Sequence, residues 1–178
     1  MSLPGKLAPF FPQRFDENEW FVCVTSCLLF LAMWCIQKRF RKLDTIEFVF
    51  VMLFNIFLAV LIDDLISMPP FDWYDTGDRP YPASDDVLLH WLIYPGWIFI
   101  LIHFYRVFRP RHIWWGVYLL ASALITTLLD AFSTRFHVIT YKTWLPVYSF
   151  CFYTFVMFIN VWSLSKVHRM LQNMSTKR

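Results

Sequence analysis

Five long runs of hydrophobic residues alternate with short polar connectors along the chain. The runs cover residues 20–36, 46–62, 87–105, 113–132 and 144–164. A helix needs about 20 mostly apolar residues to cross a hydrocarbon core about 30 Å thick, because each residue adds about 1.5 Å. The pattern therefore predicts an all-α, polytopic transmembrane helix bundle with five spans. We find no internal repeat and no soluble domain, so residues 1–178 are expected to form a single bundle.

Composition agrees with this fold class and excludes others. Hydrophobic residues make up 58% of the chain and charged residues only 16%, whereas a soluble domain is about 45–50% apolar and about 25% charged. The basic residues occur in short clusters between apolar runs rather than along one face, which argues against nucleic-acid binding. The lipid bilayer is the expected partner, and the protein is predicted to be a multi-pass membrane protein.

The distribution of basic residues predicts how the bundle is oriented. Cytoplasmic connectors carry an excess of Lys and Arg. If the first span enters from outside, eleven of the sixteen Lys and Arg residues fall on the inner side, in segments 38–42, 106–111 and 166–178. The sequence therefore predicts an N terminus outside and a C terminus inside.

The connector between the second and third spans, residues 66–86, is the exception to the short connectors. It holds Pro69, Pro70, Pro80 and Pro82, and such prolines stiffen a segment and exclude regular helix. Its aromatic residues suggest that it lies across the mouth of the bundle or among the lipid headgroups. A re-entrant lid is the alternative.

Four ionisable residues lie where predicted spans meet the outer surface. Asp63 and Asp64 end the second span, His90 enters the third, and Asp130 lies at the matching level of the fourth. Carboxylates near hydrocarbon cost several kcal/mol unless they face protein, water or a cation. These side chains are expected to converge as a cation or proton site, and a divalent cation would use their oxygen and nitrogen ligands. In the alternative, Asp63 and Asp64 are solvated boundary residues and Asp130 pairs with Arg135 or a helix N–H.

Motifs of common enzyme classes are missing from the sequence. It contains no HExxH, no GxSxG and no phosphate-binding glycine loop. The four cysteines all lie inside apolar runs, where they are expected to behave as small hydrophobic residues. The sequence therefore predicts no catalytic residue and no cofactor.

Three motifs follow one another in the second half of the chain. Tyr94-Pro95 lies in the third span, Asp130 ends the fourth, and Tyr141-x-x-Trp144 precedes the fifth. In this order they resemble a family of small uncharacterised integral membrane proteins of spore-forming Gram-positive bacteria. That family more often has glutamate at the acidic position, so ligand geometry is not carried over. The resemblance implies five helices in a bacterial plasma membrane and implies no catalytic activity.

Three functions remain open from the sequence. The first is a structural, accessory or partner-binding bundle, whose partner is another membrane protein or a second copy of the chain. The second is a small transporter or cation- or proton-binding protein that uses Asp63, Asp64, His90 and Asp130 at an acidic outer mouth. The third is an enzyme that acts on lipid headgroups at the membrane surface.

Overall fold

Five long helices dominate the computed structural model, which describes residues 15–67, 69–76 and 84–176. All five are long and apolar enough to cross a membrane, and this confirms the predicted fold class. The helices are α1 (Glu17–Phe40), α2 (Thr45–Ile66), α3 (residues 84–108), α4 (Ile113–Ser133, extended by a 3-10 turn over Thr134–Phe136) and α5 (Pro146–Thr176). The orientation of the termini stays a prediction.

The helices extend beyond most of the hydrophobic runs. The first four predicted spans each lie inside one helix, whereas α5 begins at Pro146, two residues after the predicted start, and continues to Thr176. The additional turns of α5 contain polar residues that follow the apolar run. They remain helical because backbone hydrogen bonds can continue along a polar segment. One of those residues, His168, contacts Glu47 at the end of the bundle opposite Asp63.

Capping residues define where α1 and α2 begin. Asp16 accepts from the Asn18 N–H at 3.1 Å and Glu19 accepts from the Asp16 N–H at 3.0 Å. Glu47 similarly accepts from the Asp44 N–H at 3.1 Å. These contacts satisfy N–H groups that have no partner inside the helix. In α2 the cap also directs the Glu47 side chain into the bundle, where the residue is only 1% exposed.

Helix α3 is the central helix of the bundle. Of its apolar span 56% is buried, compared with 22% for α1 and 17% for α2. Helices α1 and α2 pack mainly against α3, whereas α4 packs mainly against α5. The other faces expose large apolar side chains, as expected of surfaces that contact lipid tails. The fully buried apolar core includes Val51, Phe99, Ile102, Met157 and Leu164.

The winding of α3 changes just before Pro95. Its first turn, Ser84–Leu88, is α-helical, Leu89–Ile93 is π-helical, and α-helix resumes over Tyr94–Phe108. Proline lacks an N–H and its ring clashes with the carbonyl four residues earlier. The π-helical turn, in which the Tyr94 N–H reaches the Leu89 carbonyl, accommodates that loss without ending the helix. This turn contains His90.

A short β-ladder, which the sequence analysis did not predict, joins two connectors. Strand β1 (Tyr74–Thr76) pairs antiparallel with β2 (Ile139–Tyr141), and Tyr74 lies opposite Tyr141. Part of the long connector is thus ordered beside the connector between α4 and α5. Residue 68 and residues 77–83 of this connector, for which a re-entrant lid was the alternative, lie outside the described residues. Side chains directly opposite in a ladder share a face, so the two tyrosines extend together.

Candidate functional site

Asp63 forms the first part of a polar cluster at the end of the bundle that carries the β-ladder. The Tyr74 hydroxyl donates to Asp63 Oδ1 at 2.8 Å. His90 Nε2 lies 3.2 Å from Asp63 Oδ2, at ion-pair distance but without the alignment of a full hydrogen bond. Both side chains of this pair are largely enclosed, with 10% of His90 and 15% of Asp63 exposed.

The hydrogen bonding of His90 implies a proton between the ring and Asp63. Its Nδ1 lies 2.6 Å from the Asp86 carbonyl oxygen, and a carbonyl can only accept, so Nδ1 carries the hydrogen. In a neutral ring Nε2 would then present a lone pair to a carboxylate oxygen. Two facing acceptors repel each other, so a proton must reside either on Nε2 or on Asp63.

Asp130 forms the second part of the cluster and is held by hydroxyl groups. Its Oδ2 accepts from the Tyr141 hydroxyl at 2.6 Å and from Ser149 Oγ at 2.9 Å. Tyr153 lines the same small cavity as this carboxylate. Trp144 Nε1 in turn donates to Ser149 Oγ at 2.7 Å. The sequence alternative that paired Asp130 with Arg135 is not what the structure shows.

The paired tyrosines of the β-ladder link the two carboxylates to the connectors. Tyr74 donates a hydrogen bond to Asp63, and Tyr141 donates one to Asp130. Burial, with the neighbouring carboxylate as a further cause, raises the pKa of Tyr74 and of Tyr141 well above the usual value for a phenol. Both hydroxyls therefore stay protonated at physiological pH and act as hydrogen-bond donors.

Two small cavities adjoin the carboxylates. One of about 100 Å³ extends from Asp63 toward Asn55, near the middle of α2. The other, of about 40 Å³, lies beside Asp130. Tyr94 and Tyr153 line both cavities. The walls of the larger cavity are mostly apolar, but both cavities include carboxylate and hydroxyl groups and have enough volume for water, the larger one for several molecules.

The structure brings three of the four predicted site residues to one end of the bundle. Asp63 and His90 contact each other, and the cavity beside Asp130 shares wall residues with the cavity beside Asp63. Asp64 is exposed and makes none of these contacts. Over the described ranges, no group of three His, Cys, Asp or Glu side chains could hold a metal ion. Asp63 and His90 form a carboxylate–imidazole pair, and such a pair can share one proton.

A second charged cluster, at the opposite end, was missed by the sequence analysis. Glu47 Oε1 lies 2.7 Å from Arg106 Nη2 and 2.7 Å from His168 Nδ1. The Gln172 amide lies 3.0 Å from the other ring nitrogen of His168. Glu47 thus joins α2, α3 and α5. The sequence signal was ambiguous, because an acidic residue three positions after Asp44 is explained by helix capping alone.

An amide pair lies between the two charged ends. Asn55 Nδ2 donates to Asn160 Oδ1 at 2.7 Å, and Asn160 Nδ2 donates back to Asn55 Oδ1 at 2.9 Å. Each amide also donates to the carbonyl four residues earlier in its own helix. Both residues lie inside predicted spans, but the sequence gives no reason to pair them.

These features define the class of protein: a multi-pass membrane protein of five helices with buried polar groups at both ends and in the middle. Comparison with known protein families, curated proteins and solved structures finds no match for this chain. Function must therefore be inferred from the site itself.

Proposed function

We propose that the protein transports protons, with the Asp63–His90 pair as the proton-binding site at one end of the bundle. The observation that carries this proposal is the geometry of His90, whose Nδ1 is committed to a carbonyl while Nε2 faces a carboxylate. Such a pair needs one proton to be stable in a low-dielectric environment. Ionisable groups inside membrane bundles that pair with one another often belong to proton relays.

A line of polar groups along the interior of α2 supports movement of that proton through the bundle. Glu47, Asn55 and Asp63 are eight residues apart, and eight residues rise about 12 Å along a helix. Each contacts a polar side chain of another helix: Glu47 contacts His168, Asn55 contacts Asn160, and Asp63 contacts His90. A carboxylate and an imidazole thus occur at both ends, with an amide pair between them.

The two halves of this line differ in their access to water. The larger cavity leads from Asp63 to Asn55. Between Asn55 and Glu47 the interior is filled by fully buried Val51, Phe99 and Met157. This conformation therefore leaves space between Asp63 and Asn55, while packed apolar side chains close the line toward the Glu47 end. Transport would require the apolar layer to separate.

Proton flux into vesicles tests the proposal. The purified full-length protein is reconstituted into liposomes that contain a pH-sensitive dye, and a potassium diffusion potential drives protons inward. Vesicles with the wild-type protein should acidify faster than empty vesicles. Asp63→Asn and His90→Gln should lose this increase, because the residues that remain at positions 63 and 90 can no longer share a proton. The control Asp64→Asn, which alters the exposed neighbour, should keep it.

Two outcomes would overturn the proposal: wild-type vesicles that acidify no faster than empty ones, or an equal loss of flux in the Asp64→Asn control. The alternatives from the sequence, an accessory or partner-binding bundle and an enzyme that acts on lipid headgroups, stay predictions. Location in a bacterial plasma membrane, with the N terminus outside, is part of the proposal and is supported by the basic connectors and the family resemblance.

A further inference from the structure

A lateral groove between α1 and α4 has a volume of about 380 Å³. We call it the α1–α4 groove; its walls include Thr25, Leu28, Trp97 and Leu129, and Asp130 and Tyr153 lie in its floor. It exists because α1 packs mainly against α3 and approaches the α4 segment chiefly through the 3-10 turn. Its volume falls in the range of small-molecule sites.

The groove faces lipid rather than water. At the end near the β-ladder, Phe21 stacks on Phe136 with ring centroids 4.6 Å apart, and Phe132 packs edge-on against Phe136. These rings cover that end. Farther along, the rim residues Leu28 and Leu129 are 62% and 45% exposed, on helices that are apolar enough to span a membrane. A molecule would therefore enter sideways, from the hydrocarbon region.

The floor of the groove carries a carboxylate without a basic partner. Asp130 is 9% exposed, and within the described part of the chain its side-chain hydrogen-bond donors are the hydroxyls of Tyr141 and Ser149. A buried carboxylate is costly unless it is protonated or meets a positive charge. A ligand that brings a cationic hydrogen-bond donor to this point would complement it.

We infer that the α1–α4 groove binds a single-chain amphiphile with a primary ammonium headgroup. The ammonium group would contact Asp130, which lies near the end of α4, at the level where lipid headgroups are found. The hydrocarbon chain would lie along Leu28 and Trp97 toward the middle of the bundle. This inference does not depend on the Asp63–His90 pair, because its charge partner is a different carboxylate.

The probes are dodecylammonium, dodecanol and dodecanoate, which share a chain and differ in the headgroup. Each is titrated into the full-length protein in a mild detergent, and binding is measured from the rise in the midpoint of thermal unfolding. Dodecylammonium should stabilise the wild type, whereas the alcohol and the carboxylate should not. Asp130→Asn should weaken amine binding about 10- to 100-fold, the range expected when a charged hydrogen bond is lost.

Two further variants make the test independent of any folding defect in Asp130→Asn. Thr25→Phe places a ring in the groove without touching the carboxylate and should abolish binding of the amine. Asp64→Asn removes an exposed carboxylate at the same end of the bundle and should leave binding unchanged. Equal stabilisation by dodecanol, or amine binding that persists in Thr25→Phe, would overturn the inference. Loss of amine binding in the Asp64→Asn control would also overturn it, since a nonspecific surface charge would then be responsible.

Discussion

Removal of the Glu47 carboxylate should destabilise the bundle more than removal of any exposed carboxylate. The side chain is 2% exposed and accepts three hydrogen bonds, from Arg106 at 2.7 Å, His168 at 2.7 Å and the Asp44 N–H at 3.1 Å. These bonds hold together the ends of three helices. Glu47→Ala would leave the guanidinium, whose side chain is only 20% exposed, without its charge partner.

The magnitude follows from the environment of the pair. Breaking a buried ion pair by removing one partner costs about 3–5 kcal/mol. Because Arg106 retains some access to water, we expect Glu47→Ala to fall near the lower end, about 3 kcal/mol. Glu47→Gln should cost about 2 kcal/mol: its amide oxygen can still accept from Arg106, but its NH₂ group would face the Asp44 N–H, donor against donor.

The assay is equilibrium unfolding of the detergent-solubilised protein, with Asp64→Asn as the control on the same helix. That control removes an exposed charge and should change the free energy of unfolding by about 0.5 kcal/mol or less. A double-mutant cycle between Glu47→Gln and Arg106→Gln should give a coupling energy of about 1 kcal/mol or more. A Glu47→Ala variant as stable as the control would refute the reasoning.

Three further predictions concern other contacts. Asn55→Leu and Asn160→Leu should each lower the free energy of unfolding, because each leaves the other amide without its partner. The double variant removes both amides and should lose little more than either single variant. Losses that simply add in the double variant would contradict the pairing. Lys142 has a raised pKa because the exposed carboxylates of Asp72 and Asp75 accept hydrogen bonds from it. Lys142→Gln should nevertheless leave the midpoint of thermal unfolding unchanged, since exposed ion pairs contribute little to stability. A clear drop in the midpoint would contradict this. In a variant whose four native cysteines are replaced, an impermeant maleimide should label Asp72→Cys from outside intact cells. It should label Arg39→Cys, in segment 38–42, only after lysis, and the reverse pattern would contradict the predicted orientation.

The number and order of the helices could be predicted from the sequence because hydrophobic length is a strong constraint in a membrane. Lipid offers no hydrogen bonds, so a long apolar run must form a helix. The β-ladder gave no comparable signal. Tyr74–Thr76 and Ile139–Tyr141 are only three residues each, and strands this short depend on the helices that bring their connectors together.

The candidate site was predictable in part. Asp63, His90 and Asp130 were identified because ionisable residues at the ends of apolar runs are few, and antiparallel spans place those ends together. Their partners were not, since the tyrosine hydroxyls that serve the carboxylates come from the β-ladder. Glu47 was overlooked because it both caps α2 and forms an ion pair. An acidic residue three positions after Asp44 is already explained by capping, so the sequence pattern contained no sign of the ion pair.

The protonation state of His90 provides the most direct test of the proposed proton site. The ¹⁵N shifts of its ring and the ¹³C shift of the Asp63 carboxyl can be measured by NMR near neutral pH, with His90→Gln used to assign the signals. The account predicts a hydrogen on Nδ1 and one further proton within the pair, on Nε2 or on the carboxyl. In Asp63→Asn the further proton should be absent and the ring neutral. A wild-type ring with a bare Nε2 beside an ionised Asp63 would contradict the account.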